Sequence, residues 1–403
     1  MCGIAGFGSC QIYKPAERVH TFIDFHGRTP SAATEDMWED IVEGETRDGF
    51  GFVLRDNVND LGYQSVTAPG SLKAYSEAVA EYGSWDWRDV CHFAVEEAEA
   101  GFVVRPHVYY WWTSGADFGR VPVPDRLRFS KTGQAAYFHN DGSVKRVGDR
   151  VHNPDLASTL RTIANRGPDV FYKGAIAERI AEDFAANGGL LSYDDLVNYT
   201  TTRNEPIAFD YRGYHLTTNQ PPGGGIMLAE MMNILENFDL AGLGHNSVEY
   251  IRTVCEAMKI ATADKDAHVG DPVYYDVPID RLTSKPYAHE AAERIKAGEK
   301  HHVPRLGQPE SKHTTHVAVV DAEGNAVTMT HSLGMPSGVI TDGLGFMYNG
   351  CMAVFDPRPG RAGSIAPGKA RFSSLCPTLA FKDDNLRLAI GAPGGTQIAM
   401  GVL

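Results

Sequence analysis

Residues 1–25 alternate small, apolar and polar side chains, a period-two pattern that predicts strand. From Ser71 to Asp271 the pattern is mostly helical. Ser71 can cap a helix ending near Gly83, and Asn153-Pro154 supplies a cap and a first-turn proline for a helix to about Asn165, closed by Gly167. Lys173 to Asn187 is amphipathic and stops at Gly188-Gly189. Ser192 with Asp195, and Asn246 with Glu249, have capping-box spacing. The second box opens a helix whose expected apolar stripe is Ile251, Val254 and Met258, with Cys255 beside it as core filler. After residue 313 the texture changes to strands. His316–Val320 and Ala326–Ser332 read as a hairpin around Asp321–Asn325, and Thr378–Phe381 and Leu386–Ile390 as another around Lys382–Asn385. Helices first and strands later, with some strand at the start, predict an α+β fold in which sheets lie between helical layers.

Composition narrows the classes. The chain has 403 residues, net charge −14 and 43% apolar residues, values of a globular protein with a real core. An acidic chain lacks the basic footprint a nucleic-acid partner demands. The 6 cysteines contain no C-x-x-C pair, which argues against a disulfide scaffold and a structural zinc site. His301-His302 and His313/His316 fit no zinc signature, so no metal is expected. No apolar run reaches the roughly 18 residues of a membrane span, and no secretory signal opens the chain, so the expectation is a cytoplasmic protein. Met1–Gly8 starts directly in small, core-like residues, and Met400–Leu403 ends inside an apolar run. Both ends read as cuts through buried structure.

The chemistry sits where the texture changes. Thr314-Thr315 stands at the mouth of a strand, just after the polar loop Lys300–Lys312 with its two prolines. An internal threonine hydroxyl is a poor nucleophile. A chain-terminal threonine has its own α-amine, of pKa about 7.7–8.0, to take the hydroxyl proton. Exposing that amine requires cleavage of the preceding bond, and an exposed loop leading into a strand edge makes self-cleavage sterically feasible. The plain alternative is β-propensity and capping. The aromatic run Tyr109–Trp112 reads as a packing patch. Pro221-Pro222-Gly223-Gly224-Gly225 lacks the Lys-Ser/Thr of a phosphate loop.

Thr314–Gly334 (TTHVAVVDAEGNAVTMTHSLG) resembles the start of the small subunit of the gamma-glutamyltranspeptidase family, N-terminal-nucleophile hydrolases that cut themselves before that threonine. FIDFHGRTPSAATEDM (22–37), GPDVFYKGAIAERI (167–180), GGLLSYDDLVNY (188–199), YRGYHLTTNQPPGGG (211–225) and EAMKIATADKDAHVGDP (256–272) are similar to large-subunit segments in the same order. FSSLCPT (372–378) and GAPGG (391–395) are similar to small-subunit motifs. The resemblance implies an αββα sandwich and a precursor cut at His313–Thr314 into a large chain, 1–313, and a small chain, 314–403. It implies no cofactor, a small-molecule amide as substrate, and two such chains held together, with a homodimer of heterodimers as the oligomer. Against the family pattern, the start of the large subunit and the end of the small one are missing.

Residue by residue, the resemblance makes Thr314 the nucleophile. It puts Ser332 where the family has a threonine bonded to that nucleophile, although an ordinary strand serine reads equally well. Gly394 and Gly395 match the pair whose N–H groups hold the oxyanion, or form a plain turn. Ser373 and Ser374 match a substrate-site serine pair, or satisfy a loop backbone. The departures concern the substrate. His26 stands where the family arginine binds the glutamyl carboxylate, and Arg28 lies two residues on. Gly334 replaces a substrate-facing asparagine, Cys351 a glutamine or glutamate, and Val354 the amine-binding aspartate. Losing these partners would leave a zwitterion's charges buried unpaired, at a cost of several kcal/mol. The expectation is therefore retained acyl-transfer machinery with the glutamyl clamp lost. Two other readings exist. Met1–Phe7 resembles the start of a class II glutamine amidotransferase with Cys2 as nucleophile, with a faint echo at Arg47–Gly51. An incomplete sandwich would be an inactive fragment or non-catalytic relative.

Overall fold

The structure is a computed structural model and describes residues 2–46, 51–115, 120–303 and 314–403. The strands of its two main sheets, numbered along the chain, are β1 (Phe7–Lys14), β2 (Val19–Phe25), β3 (Thr202–Asn204), β4 (Ile207–Tyr211), β5 (Tyr214–Thr218), β6 (Thr315–Val320), β7 (Ala326–Ser332), β8 (Thr378–Lys382) and β9 (Asn385–Ile390). The first sheet has the order β6-β7-β1-β2-β3 and the second β9-β8-β5-β4, and all the pairings are antiparallel.

The two sheets pack face to face. Ala326 of the first sheet shares a core with Leu379 and Phe381 of the second, and the Gln11 amide donates to Thr217 Oγ1 at 2.6 Å across the gap. Strand alternation sorts β1 cleanly. Cys10 and Ile12 face helix α1 (Ser71–Tyr82), packing with Ile23, Phe25 and Ala74, while Gln11 and Tyr13 face the second sheet. On the other outer face, helix α2 (Gly225–Leu235) packs Ile226, Met227 and Met231 onto Ile207, Phe209 and Leu216. The result is a helix–sheet–sheet–helix sandwich.

Local signals hold where they are self-contained. Asn153 accepts from the Leu156 N–H and starts a helix over Pro154–Arg166 with Gly167 beyond it. Ser192 and Asp195 form a reciprocal capping box. Both hairpins form where the pattern put them. Residues 1–25 supply two paired strands.

Four expectations are corrected. Ser71 is the first residue of α1 and not its cap: Gly70 holds the cap position, with no side-chain cap bond. The stretch between Ser71 and Asp271 is interrupted by β3–β5, whose five residues or fewer are too short to stand out against the helical periods around them. The cap of helix α3 (Val248–His268) is Ser247, whose hydroxyl accepts from the Tyr250 N–H. Asn246 takes a left-handed φ of 59° in the turn before it. The buried face of that helix carries Thr253, Glu256, Ala257, Ile260 and Ala261, leaving Ile251 and Cys255 exposed. Apolar packing decides that rotation: Ala257 and Ile260 join Ile234, Leu235 and Ala288 in one core, and Glu256 beside them accepts the His301 backbone N–H. No helix among the described residues is long and apolar enough to cross a membrane.

Candidate active site

One end of the sandwich collects the start of β1, the end of β2, the start of β6, the end of β7 and the segments flanking β8 and β9. The β6–β7 register pairs Thr315 with His331, which sets Thr314 beside Ser332. The Thr314 hydroxyl donates to Ser332 Oγ at 3.4 Å, and the same oxygen accepts the Gly334 N–H at 2.9 Å. Period-two alternation makes the choice within the threonine pair. Thr314 shares the inward face with His316, whose ring bonds the buried Thr330 hydroxyl at 2.9 Å.

Thr314 and Ser332 open onto a cavity whose other walls include Phe7, Val354, Arg371, Ser373, Ser374 and Gly395. Gly394 has a φ of 140° and Gly395 a φ of 57°. Only glycine follows that path without strain. The serine wall is held by the Pro-Pro-Gly-Gly-Gly segment. The Gly224 N–H donates to Leu375 O and the Ser373 N–H to Pro222 O, both at 2.8 Å. The segment that is no phosphate loop is therefore the brace of the serine pair.

The other expected substrate residues fall differently. His26 stands behind the cavity wall: its Nδ1 is 2.7 Å from Asp24 Oδ1 and its Nε2 is 2.7 Å from Ser373 Oγ. Arg28 turns away, donating to Thr202 Oγ1 at 3.0 Å and to Gly368 O at 3.4 Å. Cys351 is fully buried behind Gly334, and burial raises the pKa of its thiol. Val354 forms part of the wall itself. His313 and Arg47–Phe50 lie outside the described residues. Cys2 is exposed and is not among the residues lining the cavity.

Arg371 is a site residue that the sequence pattern does not mark. It is 4% exposed, lines the cavity, lies 4.7 Å from the Phe7 ring centroid and donates from Nε to Phe372 O at 2.9 Å. Burial lowers its pKa from the usual arginine value, and the neighbouring Cys351 partly offsets this. Its place immediately before the Phe372–Thr378 motif is the available signal. The cavity thus combines apolar walls, a buried cation, two serines and a hydroxyl pair at the head of a strand, a set suited to holding an acyl group beside Thr314.

The four-layer sandwich with this cavity at its end defines an N-terminal-nucleophile hydrolase architecture. The chain belongs to the gamma-glutamyltranspeptidase family, which matches residues 1–403, and with it to amide-cleaving, acyl-transferring enzymes. It is 38% identical over 405 residues to the acylase ACY 1 proenzyme of Pseudomonas sp. (strain V22), covering 99% of this chain and 70% of that one. It is 33% identical over 429 residues to the glutathione hydrolase proenzyme of Escherichia coli (strain K12), covering 100% and 69%. Among solved structures, cephalosporin acylase from Bacillus halodurans superposes with a TM-score of 0.82 at 25% identity, covering 99% of this chain and 70% of that one. The gamma-glutamyltranspeptidase of Helicobacter pylori superposes with a TM-score of 0.64 at 26% identity, covering 73% and 79%.

Proposed function

We propose that the chain is a precursor cut between His313 and Thr314, and that Thr314 then carries the acyl group of an amide substrate. The large chain would be residues 1–313 and the small chain 314–403, interlocked because β6 and β7 of the small chain form one sheet with β1 of the large one. The observation that carries the reading is Thr314 at the head of a strand, bonded to Ser332 and opening onto the same cavity as Gly395, Ser373 and Ser374. The proenzyme names of the acylase and glutathione hydrolase relatives support it.

In this scheme the freed α-amine takes the Thr314 hydroxyl proton and Oγ attacks the amide carbonyl. Backbone N–H groups at Gly394-Gly395 stabilise the oxyanion; one such donor is worth about 2.7–4 kcal/mol. The amine leaves with the proton, and water or a second amine cleaves the ester. The substrate is an amide other than a standard γ-glutamyl compound. Val354 offers no charge to an ammonium group, and His26 and Arg28 are engaged elsewhere.

Intact-mass analysis of wild type beside Thr314→Ala tests the nucleophile. Two fragments meeting at Thr314 in wild type and an uncut variant are expected; an uncut wild type, or equal cutting in both, ends the proposal. Robust turnover of a γ-glutamyl anilide would refute the substrate reading.

A further inference from the structure

We propose that Asp24 and His26 fix the Ser373 hydroxyl as a hydrogen-bond acceptor toward the cavity, so that the bound acyl group brings a donor, a hydroxyl or an N–H, to Ser373. This rests on the reading that an amide's acyl group occupies that cavity.

With Asp24 ionised and His26 neutral, which the proposal takes as its premise, the chain of bonds sets the direction. Asp24 Oδ1 accepts the backbone N–H of His26 at 3.2 Å and lies 2.7 Å from His26 Nδ1. A carboxylate oxygen only accepts, so the ring hydrogen is on Nδ1. The other nitrogen of a neutral imidazole is then a bare acceptor. Ser373 Oγ, 2.7 Å from Nε2, must spend its one hydrogen on the ring. What remains on that oxygen is lone pairs, and Ser373 lines the cavity.

Burial makes the direction hold. Asp24 is 7% exposed, His26 2% and Ser373 1%. Bulk water therefore does not compete for these bonds. The backbone is pinned on both sides: Tyr199 donates to His26 O at 2.8 Å, and the Ser373 N–H donates to Pro222 O at 2.8 Å. Ser373 therefore asks for an acyl group that carries a donor, as a hydroxyacyl or N-acylaminoacyl group does.

The test uses p-nitroanilides of 2-, 3- and 4-hydroxyacyl groups, each against its O-methyl ether, which keeps the acceptor and loses the donor. Wild type should favour one hydroxyacyl anilide over its ether about three- to tenfold in kcat/KM, mostly through KM. Ser373→Ala should erase that preference. His26→Leu should also erase it, because Ser373 then has no ring acceptor and its hydrogen is free to turn into the cavity. Ether preference in wild type, or a preference unchanged in Ser373→Ala, would overturn the proposal. Calorimetric binding of the same anilides to uncut Thr314→Ala protein reads the preference without turnover. Preference there with no turnover in wild type sinks the reaction and keeps the role of Ser373; no preference in either measurement sinks that role.

Discussion

Gly224 is the position where the brace of the site is easiest to break. A Cβ at this position would lie 2.5 Å from Ser374 O, 2.6 Å from its carbonyl carbon and 2.8 Å from its Cα. These are backbone atoms, so they cannot swing aside as the tip of a long side chain does. An alanine must push the Pro222–Gly224 turn away from the Ser373–Leu375 segment, straining the two 2.8 Å backbone bonds between them. Overpacking costs about 1–3 kcal/mol and each of the two bonds, if lost, about 0.5–1.5 kcal/mol, so the expected destabilisation is about 2–6 kcal/mol. With an unfolding entropy of about 2.1 cal/mol/K per residue, that lowers the thermal midpoint by about 2–7 °C in a protein of this length. Turnover should fall further than stability alone requires, because the displaced segment carries Ser373 and Ser374 into or out of the cavity. Differential scanning calorimetry and anilide kinetics on Gly224→Ala read both effects. Gly44→Ala is the control, because its Cβ would meet nothing within 4 Å. A shift under about 1 °C is expected there. A Gly224→Ala protein with the midpoint and turnover of that control would show that the segment does not brace the site.

Ser332→Ala removes the acceptor of the Thr314 hydroxyl and of the Gly334 N–H at the buried end of β7. Cutting at Thr314 and subsequent turnover should slow about tenfold by time-resolved intact mass; unchanged rates would remove Ser332 from the mechanism. Glu230, on α2, is 1% exposed, and burial raises its pKa well above the usual carboxylate value, with Asp264 adding to the rise. The ordinary glutamate value, 4.5, stands for the unfolded chain. An acid raised in the folded state costs no stability below its unfolded pKa, and stability is lost as pH climbs from there toward the folded value. Glu230→Gln stays neutral throughout, so its midpoint should gain on wild type progressively from about pH 5 to about pH 8. An equal difference at both pH values would contradict the assignment.

The sequence by itself determined what local chemistry controls. The Asn153 and Ser192 caps, the glycine stops and both late hairpins follow from turn and cap groups close together in the chain, and the structure contains them. Local chemistry failed where two neighbours were equally suited. Ser247 rather than Asn246 caps α3, because Asn246 is needed in a left-handed turn. Cys255 faces solvent, because Ala257 and Ile260 on the opposite face pack with Ile234, Leu235 and Ala288.

Only the tertiary structure decided which way the site residues look. Spacing marked Thr314-Thr315, but pleat parity against β7 turned the first of them inward beside Ser332. His26 stands 347 residues from Ser373 in the chain and 2.7 Å away in space, and no period or motif encodes that bond. Arg28 faces Thr202 and Arg371 faces the cavity for the same reason. A side chain's role is set by the partners that folding brings to it, and those partners come from strands far apart in sequence. Residue type fixes what bonds a group can make; packing fixes which of them it does make.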